Sequence, residues 1–230
     1  MGAIPDDVAA AIQECWPDDV VAEIDSSESY FYEIYDALER DLRRISGASL
    51  RWQTEPGDDD PDSRDEWQSY HVFFLVPQGD EFQFDAETET TDDVEDPDEE
   101  SEVSIIPGSG WYGCAVSVSL VAPFAAMNPE QFCEFEDGSA AEPDLASFAY
   151  VEETGERVDL DARYQEMLGE TAFAKLDGLR AKIAAVLEKH RLRLLDPATL
   201  DLPAPKLGLD EGLFLEAPLA VRDAFFFRGA

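Results

Sequence analysis

The chain has 230 residues, 44% of them hydrophobic, and sets 53 Asp and Glu against 16 Lys and Arg for a net charge of -37. That length and apolar content suffice for one sizeable core. The charge excludes nucleic acid and anionic membranes as direct ligands, because both require clustered Lys and Arg, and it favours cations or basic protein surfaces.

The N-terminus reads as a helix in which Val8, Ala11, Ile12 and Cys15 share one face, ended by Trp16-Pro17. A short second helix is predicted over Asp18–Ile24, with Pro17 at the position where its missing N–H matters least. Ser26, Ser27 and Ser29 offer caps for a stronger helix over Glu28–Ile45, where Phe31, Ile34, Tyr35, Leu38, Leu42 and Ile45 form a stripe at helical spacing. Gly47 stops it.

The period then changes to two. Strands are predicted at Ser49–Thr54 and Trp67–Val76, on either side of an acidic, turn-rich loop over Glu55–Glu66. Glu81–Asp85 alternates Phe82 and Phe84 with polar neighbours. The segment Asp85–Glu102 holds 11 acids, no base, and only Ala86 and Val94 as apolar residues, so burial cannot offset its ordering entropy. It predicts a mobile acidic loop over 86–101.

Further strands are predicted at Glu102–Ile106 and Trp111–Ala122, separated by a turn at Pro107–Gly110, and at Gln131–Glu136 and Ser147–Glu152. A tight turn at Glu153–Glu156 leads into an extended piece, Arg157–Leu160. Two helices follow, Asp161–Leu168 and Thr171–His190, the second with Phe173, Leu176, Leu179, Ile183, Val186 and Leu187 on one side. Leu192–Leu195 reads as a strand, and the Pro-rich tail as short extended pieces near Gly212–Glu216 and Val221–Phe227. The pattern predicts a single α+β domain over 1–230, a central mainly antiparallel sheet flanked by N-terminal and C-terminal helices.

No residue pattern names a reaction. Cys15, Cys114 and Cys133 are odd in number and lack CxxC spacing, and Met1–Asp19 carries no secretory pattern, so the thiols read as reduced core residues of a cytoplasmic protein. No apolar run approaches the roughly 20 residues a membrane span needs. His71 lies mid-strand among aromatics and His190 at a helix end, both structural settings with no accompanying nucleophile signature. Gly108-Ser109-Gly110 lacks the third glycine of a phosphate loop and opens a strand. Asp58, Asp60 and Asp62 alternate as calcium ligands do, but Gly57 precedes them and Pro61 interrupts, so they read as a solvated face. No cofactor and no metal site is expected.

The charge itself carries the functional reading. The first 100 residues hold 31 of the 53 acids but only 5 of the 16 bases, whereas adaptation to a salty cytosol would spread acids evenly. That polarity favours a non-catalytic protein that binds and neutralises a basic protein, such as a nuclease or other toxin, in the manner of toxin-immunity or inhibitor proteins. The analogy is one of charge, not of motif. The expected face comprises Asp58, Asp59, Asp60, Asp62, Asp92, Asp93, Glu95 and Asp96, with Trp67, Tyr70 and Trp111 as aromatic anchors. The alternatives are a halophile-adapted protein whose acidity is salt adaptation alone, and a hydrolase whose acidic site one sequence does not reveal.

Overall fold

A computed structural model describes residues 3–16, 30–54, 69–91, 103–141, 143, 159–204 and 219–226. Among the described residues, five helices and seven strands run in the order α1 (Asp6–Cys15), α2 (Tyr30–Arg43), β1 (Ala48–Gln53), β2 (Tyr70–Pro77), β3 (Gln83–Thr91), β4 (Val103–Ser119), β5 (Phe124–Phe135), β6 (Ala140–Ala141), α3 (Leu160–Lys189), β7 (Arg193–Leu194), α4 (Pro197–Leu200) and α5 (Val221–Phe225). All strands join one sheet in the order β1-β2-β4-β5-β6, antiparallel throughout except for β7, which runs parallel to β5. This is the α+β architecture that the sequence predicts.

The sheet is organised by β4. At 17 residues it is long enough to pair β3 along Val103–Trp111 and β2 along Cys114–Ser119 on one margin, while β5 takes the other margin from Gly108 to Val118. Strand β2 is buried at every position, as its unbroken apolar run requires of a strand covered on both faces. His71, Phe73 and Leu75 share one face with Val118, Val116 and Cys114, their partners in the ladder. Rings of α2 sit on that face, Phe31 and Tyr35 packing on His71, and Tyr35 stacking on Phe73. Helix α3 joins them through Leu176, Leu179, Ile183 and Leu187. Each large aliphatic side chain so buried contributes about 1.5–3 kcal/mol.

The opposite face carries Tyr70, Val72 and Phe74. At one end α1, α4 and α5 cover it, with Phe225 against Phe124, Phe226 against Tyr70, and the Trp16 indole donating to the Ala224 carbonyl at 3.0 Å. Further along that face, Phe132 gathers Trp52, Phe74 and Trp111 around it. Gly113 lets the Phe74 ring lie close over β4, since a Cβ there would meet that ring.

Several expectations change. The predicted break at Pro107–Gly110 is continuous strand, because β3 and β5 pair with it from both sides. Its glycines answer to close approach rather than to a turn: a Cβ on Gly110 would strike the Phe84 ring, and one on Gly108 the Glu134 carbonyl. The predicted mobile loop over 86–101 begins too early. Residues 86–91 belong to β3, a strand of alternating acid and Thr whose inner side needs only Phe84 and Ala86. Residues 92–101 lie outside the described residues, as do the predicted elements Asp18–Ile24, Ser147–Glu152 and Gly212–Glu216 and the turn at Glu153–Glu156. Before β3, Asp80–Phe82 forms a 3-10 turn. Val221–Phe225 is helical, not extended, and Asp223 stabilises its start by accepting from the Ala220 N–H at 2.6 Å. Gly169 divides α3 with φ 75 and ψ 162, close to the predicted gap between two helices. Among the described residues, no helix is long and apolar enough to cross a membrane.

Candidate functional site

Strand β3 reads Gln-Phe-Asp-Ala-Glu-Thr-Glu-Thr-Thr, so its two faces differ in chemistry. Phe84 and Ala86 lie on the side of Tyr112, with which the Phe84 ring is in contact at 4.5 Å between centroids. Asp85, Glu87 and Glu89 occupy the other side, opposite Ser109, Pro107 and Ile105 of β4. Two-residue spacing places these carboxylates at intervals of about 6.5–7 Å in one line. All three are exposed. Beside them Pro107 is exposed, and Ile105 keeps 63% of its surface in water, the largest value for a large hydrophobic side chain among the described residues. The result is a ladder of negative charge with an apolar strip along its inner margin.

The ladder also carries its charge unpaired. Among the described residues, Asp85, Glu87 and Glu89 have no ion-pair or side-chain hydrogen-bond partner. Many of the scarce bases are engaged elsewhere. Lys189 and His190 at the end of α3 hold Asp41 of α2, at 2.6 and 2.8 Å, and their hydrogen bonds lower its carboxyl to about 2. Lys175 holds Glu81, which lowers that carboxyl too. Arg180 bridges Asp161 and Asp177, Arg193 meets Asp7, and Arg222 meets Asp201. Arg51 reaches the same face of the sheet, where it bonds Glu134 at 3.1 Å and stacks 3.6 Å over the Trp111 ring.

Most of the residues predicted to form the binding face lie outside the described residues: Asp58, Asp59, Asp60, Asp62 and Trp67, and likewise Asp92, Asp93, Glu95 and Asp96. Tyr70 and Trp111 are core residues, 3% and 9% exposed, so neither serves as an anchor at the surface. Tyr70 packs on Phe226, and Trp111 lies between Phe132 and the Arg51 guanidinium. Sequence reasoning passed over Asp85, Glu87 and Glu89 as a site because bulk acidity hid their period-two alternation with Phe84, Ala86 and Thr88.

The groups that chemistry would need sit in structural settings. His71 is buried against Phe31, Tyr35 and Phe73, and burial holds its imidazole down at about 3, hence neutral. Burial pushes the Cys15 and Cys114 thiols up to about 12, the neighbouring Glu14 adding to the first, so neither is a ready thiolate. The Tyr164 hydroxyl donates to Glu130 at 3.2 Å, and burial together with that carboxylate raises it well above the ordinary phenol range. No cluster of three or more His, Cys, Asp or Glu among the described residues has the arrangement of a metal site.

Compared with known proteins, the chain matches no family model, no curated protein sequence and no solved structure. The fold and the ladder therefore define it only as an α+β protein with an unneutralised acidic strand.

Proposed function

We propose that this chain is a non-catalytic binding protein that receives a basic protein partner on the acidic face of β3 and neutralises it, as an inhibitor or toxin-immunity protein does. The observation that carries the reading is the Asp85, Glu87, Glu89 ladder, three exposed and unpaired carboxylates aligned on one face of β3. Aligned like charges raise the local potential, steer a basic surface to the face and orient it, with on-rates that fall as salt rises. Ile105 and Pro107 add the apolar area that a purely electrostatic encounter lacks.

The test compares the native chain with an Asp85→Lys, Glu87→Lys, Glu89→Lys variant, each immobilised and exposed to host extract at low and moderate salt. Retention of a basic protein by the native chain alone, weakened by salt, is the expected result. Retention that the triple reversal leaves intact, or no retention at low salt, ends the reading.

A further inference from the structure

Among the described residues, the outer edge of β3 is open. β3 pairs with β4 from Gln83 to Thr91, and β2 occupies the same margin of β4 only from Cys114 onward, so among the described residues no strand lies beyond β3. Among the described residues, 84–91 make no backbone hydrogen bond outside that one ladder. An edge of this kind presents alternate N–H and C=O groups to water and is a template for another extended chain.

The side chains decide which chain can use it. A second copy pairing through its own β3 would set Asp85, Glu87 and Glu89 against the same three carboxylates, and like charges across a strand pair are destabilising. A strand with Lys or Arg at every second position meets the opposite situation. Its cations fall beside the ladder at the ladder's own spacing, while the intervening positions lie on the side of Phe84 and Ala86. The ladder thus closes the edge to self-association and leaves it open to a basic segment.

We infer that β3 accepts an extended, basic segment of the partner as an added strand, held by main-chain hydrogen bonds and set in register by Asp85, Glu87 and Glu89. This rests on the ladder being the docking face, and it specifies how that face is used. Affinity then comes from the backbone and selection from alternate side chains.

The test uses a nine-residue peptide of alternating Lys and Val, matching the length of β3, with the intact chain, read by fluorescence anisotropy at low salt. Two further peptides carry N-methyl groups, one on the amides of the Lys residues and one on those of the Val residues. In an added strand only one of these sets faces β3, so methylating that set weakens binding by about tenfold or more, and methylating the other leaves it unchanged. Slowed amide exchange at residues 84–91 accompanies binding of the parent peptide. Equal binding by all three peptides overturns strand addition while leaving electrostatic docking in place. Absence of binding by the parent peptide overturns both.

Discussion

Two groups of carboxylates in this protein meet opposite fates. At the junction of α2 and α3, Asp41 sits between Lys189 and His190, residues nearly 150 positions later in the chain, and its charge ties two helices together. On β3, Asp85, Glu87 and Glu89 have no cation to meet among the described residues and face water. The same chemical group is a fastener in one place and a source of field in the other. What separates them is the supply of bases: the long C-terminal helix brings Lys175, Arg180, Lys182 and Lys189 to the α2 side of the sheet, and none to the β3 ladder.

The largest expected effect falls on the fastened side. Leu38→Ala, at a fully buried position of α2, should cost about 2–5 kcal/mol in chemical denaturation, a cavity effect. A loss under 1 kcal/mol would mean that α2 packs more loosely than its burial indicates. Partner or peptide binding per molecule still folded should not change.

Next comes the acid response. His71 titrates near 3 when folded against an ordinary 6.5, so between those values the unfolded chain binds more protons than the folded one. Stability therefore falls as pH drops through that window and levels out below about 3, by roughly 3–5 kcal/mol in total. His71→Phe should flatten this decline in urea melts taken at successive pH values. An unchanged slope would place its origin elsewhere. Asp41 acts lower on the scale: its depressed carboxyl stabilises the fold above the ordinary 3.8, and that contribution is lost as pH falls through about 2. Asp41→Asn should destabilise at neutral pH and remove that final limb, which circular dichroism at acid pH would register.

Smallest for the fold, and largest for recognition, is change at the ladder. Glu87→Gln with Glu89→Gln should leave stability within roughly 0.5 kcal/mol, because nothing folded depends on those charges. The same pair should slow association with a basic partner, measured by stopped-flow at low salt. A substantial loss of stability would instead assign the ladder a structural role. Salt separates recognition from adaptation: if the acids serve recognition, melting temperature should plateau once screening is complete near 0.15 M, where the Debye length is about 8 Å. A melting temperature that climbs well past ~1 M KCl would favour the salt-adapted alternative.

Much of the scaffold is legible in the residues. The stripe from Phe31 to Leu42 faces the core in α2, the run Val72–Val76 is buried strand, Gly47 turns the chain at φ 80, and Gly169 interrupts α3. These features are local, with period, propensity and permitted φ all acting within a few residues. The candidate site was less legible. Tyr70 and Trp111 look like surface anchors beside acids, yet Phe226 covers one while Phe132 and Arg51 flank the other, contacts spanning more than 20 residues of sequence for Phe132 and more than 150 for Phe226. Residues 86–91 look unable to order, yet hydrogen bonding to β4 supplies what their side chains do not.

Sequence alone therefore determined the class of fold, the negative field and its concentration toward the N-terminal part, since these depend on composition and short-range pattern. Only the tertiary structure decided which acids keep that field. Pairing follows from where α3 lays its bases and from the register of β3 on β4, and both are set by packing between segments far apart in the chain.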